Sequence, residues 1–451
     1  MKDLDGTFST ELDQLFKKRD FKGLKELLCT VDAPDVAEIL ADTAPPERVF
    51  LFRLLPKDTA IAVFEFLGGA EREELLASFT DSEAAVILEE MSDDDRTALF
   101  DELPAKTVKK LLAGLSPEER KLANALLHYP SGSACRIIIP EFVDLREDMT
   151  VAQALRRIRA KASSKETIYT SFVTGNDRRL KGTVSLEDLI LAEPESSVAA
   201  IMNPHPVFIF TSTDQEEASQ IMSRYDVQAM PVVDFDTRLV GIVTFDDILD
   251  IIQEEATEDF ERLAGIRPVE ETYLSAGILT LAWKRIPWLV VCIVTQIFSS
   301  CILRRYAFAL ESSVALAFFI PLLTDTGGNT GTQSTTLVIR GFTLGEISGK
   351  DLPRILLKEI LSGLVLGSVL AGLAFLRAWS MEAGLDLAMA VAVSVAAVVM
   401  LGNVTGAILP FAARHLGMDP AVMSAPFITT VVDIMGLLVY FETARRFLGL
   451  E

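Results

Sequence analysis

Histidine, cysteine and tryptophan are scarce in this 451-residue chain, with three, four and three residues. His128, His205 and His415 lie far apart, which excludes a histidine-built metal centre and a Ser-His-Asp triad. Cys29, Cys135, Cys292 and Cys301 share no C-x-x-C spacing. Neither a zinc site nor a disulfide framework is expected from them, only buried free thiols. Basic charge is also short: 42 Lys and Arg stand against 64 Asp and Glu, a net charge of −22. A phosphate backbone needs a basic surface, so nucleic acid is excluded as a partner. No phosphate-cradling glycine loop and no nucleophile–base pair is evident, so no enzymatic activity is expected. Met1–Asp20 is charged and has no apolar core, so it does not read as a signal peptide.

What is present is unevenly distributed. Half of the residues are hydrophobic and mean hydropathy is +0.33, yet 24% are charged. From Ala276 onward there are 12 basic and 11 acidic residues; residues 1–275 hold 30 and 53, a net of −23. The chain is an acidic half joined to a near-neutral, apolar half. The apolar content excludes disorder. Cations are the natural partners of the acidic half, which is expected to remain in the cytoplasm.

Leu55, Leu67, Phe79, Met91, Leu103, Leu115 and Leu127 recur every twelve residues. After most of them comes a turn or cap residue: Pro56, Thr80, Ser92, Pro104 or Ser116. These types suit helix N-termini. Each unit is too short to be a stable helix alone, so the units must stack into an α-helical solenoid. Asp93, Asp94 and Asp95 form its densest acidic spot, read equally well as a capping cluster or a cation site.

Between residues 135 and 255 two segments match at an offset of 59. Leu180–Leu189 aligns with Leu239–Ile248, each with an apolar strand before it, a glycine turn, a Ser or Thr cap and an acidic helix start. With Met202-Asn203-Pro204 this resembles a pair of CBS motifs, the Bateman module. The resemblance implies a regulatory or dimerising role and an adenine-nucleotide cleft, with Ser185 and Asp188 as candidate contacts for ATP. Thr170 and Glu187 stand where nucleotide-binding relatives offer an aromatic ring and a basic side chain; a negative Glu187 would repel a phosphate.

From Asp246 to Glu261 there are eight acids and no Lys or Arg. Asp247, Asp250, Glu254, Glu258 and Glu261 share one helix face. Each like-charged i,i+4 pair costs about 0.2–0.5 kcal/mol. Divalent cations held through oxygen and water would relieve that crowding.

Ile286–Leu303, Ser312–Ile339, Ile360–Leu376, Leu387–Ala413 and Ala421–Phe441 read as five membrane spans, since about 18 apolar residues suffice to cross. An odd count with a cytoplasmic N-terminus puts the C-terminus outside. The positive-inside test agrees weakly, with seven Lys and Arg inside and five outside. Only Asp325 and Asp433 bring charge into the spans. An ionised carboxylate there costs about 2.5–3.5 kcal/mol on insertion scales and needs a partner. The second span also carries Gly327-Gly328-Asn329-Thr330-Gly331-Thr332-Gln333-Ser334, read as a pore lining or a helix-packing seam.

Pro321–Gly341 and Gly417–Tyr440 resemble the MgtE family of magnesium channels, as does the order of parts along the whole chain. The resemblance implies a multidomain membrane protein: an α-helical solenoid N domain, an α/β tandem CBS domain, a connecting plug helix and a five-helix all-α transmembrane domain. The corresponding boundaries are 1–130, 131–199 and 200–257 for the two CBS motifs, 246–275 for the plug, overlapping the second motif, and 276–451. It further implies a homodimer in membrane lipid with Mg2+ as both cargo and regulator. Asp433, Asp419, Asn329, Thr429 and Asp325 are the candidate pore residues. Asp94, Asp226, Asp247, Asp250, Glu255, Glu258 and Asp259 are the candidate regulatory ligands. Thr332 departs from the Asn common in the family. The alternative is a CBS-regulated carrier of Co2+, Mn2+ or Ni2+; such softer metals recruit His or Cys, and neither recurs among the pore candidates.

Overall fold

The computed structural model describes residues 7–130, 132–162, 165–269, 273, 276–382 and 384–449. The chain divides into two compact units, Met1–Gln253 and Glu254–Glu451.

The first unit opens with ten short helices: α1 (Thr7–Lys18), α2 (Phe21–Leu28), α3 (Ala33–Ala41), α4 (Pro45–Leu54), α5 (Lys57–Phe66), α6 (Gly69–Ser78), α7 (Asp81–Glu90), α8 (Asp93–Glu102), α9 (Ala105–Gly114) and α10 (Pro117–Leu127). The twelve-residue period is a ten-residue helix plus a two-residue connector. Leu55, Leu67, Phe79, Met91, Leu103 and Leu115 are the extended C-caps, and the next residue is in each case the N-cap of the following helix. Thr80 closes a capping box with Glu83, and Ser116 caps the Glu119 amide at 3.3 Å. Stacking buries Val63, Phe64, Leu75, Leu88 and Leu99 in one continuous core, which stabilises helices too short to persist alone.

A second period, missed in the sequence, doubles the first. Arg48, Arg72, Arg96 and Arg120 are 24 residues apart. Arg48 Nε donates to the Leu40 carbonyl at 2.9 Å, Arg96 Nη1 to that of Leu88 at 2.9 Å, and Arg120 Nε to that of Leu112 at 2.6 Å. Each reaches back eight residues to the open carbonyl end of an earlier helix. Arg48, Arg72 and Arg96 are buried, and each has a carboxylate partner: Glu74, Glu102, and Asp93 with Glu119.

Two small sheets follow. The first is built from β1 (Asp144–Leu145), β2 (Thr170–Thr174) and β3 (Leu180–Ser185), with α11 (Val151–Lys161), α12 (Leu186–Leu191) and α13 (Val198–Ile201). The second comprises β4 (Ile209–Phe210), β5 (Ala229–Val233) and β6 (Leu239–Thr244), with α14 (Gln215–Tyr225) and the start of α15 (Phe245–Leu263). In each sheet the outer pair is parallel and the hairpin antiparallel. Val173 pairs with Gly182 and Val232 with Gly241, so the 59-residue offset holds down to strand register. The glycines permit a close crossing. A Cβ on Gly182 would lie 2.6 Å from the Asn203 carbonyl oxygen, and one on Gly241 2.9 Å from that of Ile139. Those are the backbones that bridge to Thr183 and Ile242.

α15 begins in the first unit and ends in the second. Residues 270–272, 274 and 275 of the 246–275 segment lie outside the described residues. Beyond them come α16 (Ile278–Arg305), α17 (Ala307–Ser312), α18 (Ile320–Thr343), α19 (Leu352–Ser380), α20 (Leu385–His415) and α21 (Ala425–Leu448). Among the described residues α16, α20, α21 and a helical stretch containing α19 are long and apolar enough to cross a membrane. The Ser312–Ile339 run is not one helix. Ser313 is extended, Val314–Phe319 form a 3-10 turn, and Pro321 sits in the first turn of α18. α18 itself is 24 residues long, about 36 Å at helical rise, with its polar residues mid-length. α18, α20 and α21 form the buried centre of this unit, while α16 and α19 present Leu289, Ile293, Ile297, Leu364 and Leu373 outward.

The cysteines depart from expectation. Cys135 alone is buried; Cys29 and Cys301 are exposed and Cys292 is partly so. Cys29 is the surface C-cap of α2, and Cys301 lies on the apolar outer helix α16, where a thiol serves as a small hydrophobe.

Candidate metal sites and ion path

In the second unit α18 presents two faces. Gly327, Gly328 and Gly331 pack against α20 and α21 with no room for a side chain. A Cβ on Gly328 would meet Thr429 Cγ2 at 3.0 Å, and one on Gly331 would meet Ile428 Cγ2 at 2.9 Å. Ser334 and Thr335 donate across the seam to the carbonyls of Asn403 and Gly406 at 3.0 and 2.9 Å. This half of the motif is therefore a helix-packing seam. On the other face Asp325, Asn329, Gln333 and Thr336 are exposed, at helical steps of four, four and three. Asn329 Nδ2 donates to Asp325 Oδ1 at 3.1 Å.

Asp433 of α21 is partly buried and lies within electrostatic reach of Asp325. Asn329 is committed to Asp325, and Asn403 Nδ2 donates to the Glu359 carbonyl at 3.2 Å, so neither amide holds Asp433. One turn before Asp433, the hydroxyls of Thr429 and Thr430 donate to the Pro426 carbonyl at 3.0 and 2.8 Å.

At the end of α15, Asp259 accepts from Thr343 Oγ1 at 3.0 Å, at the last residue of α18. Burial, then the charges of Asp419 and Glu255, push the Asp259 carboxyl up from its ordinary range, against the Thr343 bond. Arg262 pairs with Glu258 on its own helix and with Asp419, the residue that caps the 3-10 turn before α21.

In the first unit the acids of α8 divide by role. Asp93 pairs with the buried Arg96 and reads as structural. Asp94 Oδ1 is fully buried and has no hydrogen-bond partner among the described residues. Burial, then the charge of Asp247, push the Asp94 carboxyl well above the usual range. Asp247 is raised too, by burial first and then Asp246, although Thr244 Oγ1 donates to it at 2.5 Å. Burial followed by Asp246 raises Asp250. Three acids not singled out from the sequence, Glu65, Glu141 and Glu166, join this cluster, as does Asp95 of the α8 run. Burial, then Asp247, Asp246, Glu141 and Glu65, raise Glu166; burial and Asp95 raise Glu65; burial and then Asp250 and Asp246 raise Asp95. Glu65, Glu141 and Glu166 belong to no acidic run on one helix face, so only folding brings them to the others. Asp226 stands apart, exposed in the left-handed C-cap of α14.

Among the described residues no three His, Cys, Asp or Glu side chains converge tightly enough to grip a bare ion. Ser185 and Asp188 hold each other: Ser185 Oγ donates to Asp188 Oδ2 at 2.6 Å and accepts the Asp188 amide at 3.0 Å. They form an N-cap, the first-repeat counterpart of Thr244 and Asp247.

Residues 320–443 match the family profile described as a divalent cation transporter, residues 31–132 the MgtE intracellular N domain, and residues 134–195 and 198–254 the CBS domain. The magnesium transporter MgtE of Thermus thermophilus is 39% identical over 449 residues, 99% of each chain. The chain belongs to the MgtE family. A second MgtE, from Bacillus subtilis, is 31% identical, spanning 92% of this chain and 94% of its own. The crystal structure of the cytosolic domain of the Mg2+ channel MgtE in complex with ATP is similar at a TM-score of 0.52 and 37% identity, covering 54% of this chain and 99% of that one. The soluble part of a magnesium transporter gives 0.51 and 31%, covering 55% and 98%. MgtE is a family of membrane transporters, not of enzymes, which accords with the lack of a nucleophile–base pair.

Proposed function

We propose that this chain transports Mg2+ into the cytoplasm through a pore on the two-fold axis of a homodimer, and that cytoplasmic Mg2+ closes it. The observation that carries the ion path is Asp433, an acid beside Asp325 in an apolar helix with no counter-ion among the described residues. The exposed stripe of Asp325, Asn329, Gln333 and Thr336 supports it, because polar side chains at membrane depth must face water or protein. α18 then counts as a fifth span, with the N-terminus inside and the C-terminus outside. Two copies of Asp433 facing each other across the axis repel unless a cation lies between them. Mg2+ dehydrates reluctantly, so the pair grips a largely hydrated ion, assisted by Thr429 and Thr430. Asp419 attracts ions at the inner mouth.

For regulation, the carrying observation is the buried Asp94 carboxylate against Asp247, with its Oδ1 lacking a hydrogen-bond partner among the described residues. An ion there, joined by Asp250 and by Glu65, Asp95, Glu141 and Glu166, relieves the repulsion that otherwise drives the acids apart. Glu255, Glu258 and Asp259 add acids on the part of α15 that belongs to the second unit, and Asp226 belongs to a separate exposed position. A CBS-bound ATP would require the Ser185–Asp188 cap to open beside the negative Glu187; a cation fits these residues better. Asp433→Ala is expected to abolish Mg2+-dependent growth in a magnesium-transport-deficient strain, with Asp433→Glu retaining part of it. Full rescue by Asp433→Ala at equal membrane expression would remove Asp433 from the path.

A further inference from the structure

Arg262 is a base in the last turn of α15 that pairs with two carboxylates. Its guanidinium pairs with Glu258 one turn back and with Asp419, 157 residues onward at the entry to α21. All three side chains are about one-third exposed. Asp259 lies close enough to Asp419 and Glu255 for their charges to act on it, and it accepts from Thr343 at the end of α18. The last turn of α15 is thus held to the ends of both pore-lining candidates, by Asp259 to α18 and by Arg262 to α21.

We infer that Arg262 is a resident cation at the inner mouth: it holds α15 loosely to Asp419 when metal is scarce, and Mg2+ takes over from it at Glu258 and Asp419 with a stronger hold that closes the pore. The inference rests on the reading of the acidic helix as a cation-sensing element. Its physical basis is competition. A guanidinium carries one charge and offers planar donors to two carboxylates. A divalent ion with its water shell carries two and can bridge the same pair. The guanidinium is tethered four residues from Glu258, so it occupies the carboxylates without being recruited from solution. A partly exposed pair is weak enough to yield to millimolar metal. Arg262 is a positioning residue for Asp419, not a ligand of the transported ion.

The test uses the full-length protein in proteoliposomes, with Arg262→Gln and Arg262→Lys. Two quantities are read: protease cleavage within residues 246–262, in EDTA and at tens of millimolar Mg2+, and uptake against internal Mg2+. In EDTA, Arg262→Gln is expected to be cut about two- to fivefold faster than the parent, the factor a partly exposed ion pair supplies. At saturating Mg2+ the two should be equally protected. Uptake at the lowest internal Mg2+ should rise, so the fold-inhibition by Mg2+ grows. Arg262→Lys should restore much of the EDTA protection. Asp419→Asn should be cut as fast as Arg262→Gln in EDTA, and the double variant no faster than either. Equal EDTA cleavage of parent and Arg262→Gln, or additive effects in the double variant, would overturn the inference. So would an Arg262→Gln that Mg2+ cannot protect while the parent is protected, because that marks a merely structural arginine. If Mg2+ protects neither protein, the sensing reading fails, and the EDTA comparison still decides whether the arginine holds the helix.

Discussion

The acids of this chain differ in what neighbours them, and that decides their chemistry. Asp433 was legible because a lone carboxylate in an apolar run has no cheap alternative to a ligand or partner. Asp94 was legible only as one of three adjacent acids; its distinction from Asp93 required Arg96, which takes Asp93 and leaves Asp94 facing Asp247. Glu65, Glu141 and Glu166 were illegible, since nothing local in the sequence marks them. The raised carboxyls also set a pH dependence. Their folded-state values exceed the unfolded one of about 3.9, so the folded, metal-free unit binds more protons than the unfolded chain. Stability is then fully present below the unfolded value and is lost as pH rises through the folded ones, of which Asp93, raised chiefly by burial, lies at about 6. The metal-free protein is expected to melt at higher temperature at about pH 5 than at about pH 8, and saturating Mg2+ should narrow the gap because it favours the ionised carboxylates. Thermal melts of the purified chain in EDTA and in Mg2+ check this; a melting temperature that rises with pH in EDTA would count against the buried acid cluster.

Elements carry the constraints that single residues cannot. The twelve-residue period from Leu55 announced the six helices α5 to α10, because apolar C-caps followed by Pro, Thr or Ser suit the junctions between short helices; α1 to α3 lie before it. The 24-residue arginine period was equally present but unreadable, since a buried arginine and a solvated one look alike until the carbonyls it caps are placed. In the second unit, the glycine-rich run of α18 left a pore lining and a packing seam as alternatives; the structure shows the seam on one face and leaves polar side chains exposed on the other. The seam makes a sharp prediction. A Cβ on Gly402 of α20 would lie 2.7 Å from the Gly327 carbonyl oxygen and 3.2 Å from the Gly331 amide nitrogen, both backbone atoms that cannot step aside. Gly402→Val is expected to cost about 1–3 kcal/mol by overpacking, with a lower melting temperature and reduced Mg2+ uptake. Gly372→Val on α19, which faces open space, should leave both near parental values. If Gly402→Val melts and transports like the parent, the close approach of α18 and α20 is not needed for the ion path.

At the scale of the molecule the proposal ties an acidic sensor to a near-neutral membrane part, and topology is its simplest test. Five spans with the N-terminus inside place Gly449 outside the cytoplasm. A phosphatase that is active only outside, fused at Gly449, should be active, and the same reporter fused at Gly345 should be inactive; activity at Gly345 would reverse the orientation. The split into an acidic and an apolar half, the two tandem repeats and the membrane character were determined by the sequence alone. Each is a statement about periodicity or composition, which a chain carries before it folds. The strand register of the two CBS sheets follows from the same 59-residue offset and needed the structure only to display it. Other features were decided by tertiary structure: which acids share a site, which face of α18 is exposed, that Ser312–Ile339 breaks at Ser313, and that Arg262 meets Asp419. These depend on approach between residues tens to hundreds of positions apart. Local pattern sets which groups a chain can offer, whereas desolvation and pairing are properties of neighbours, and neighbours exist only once the helices have packed.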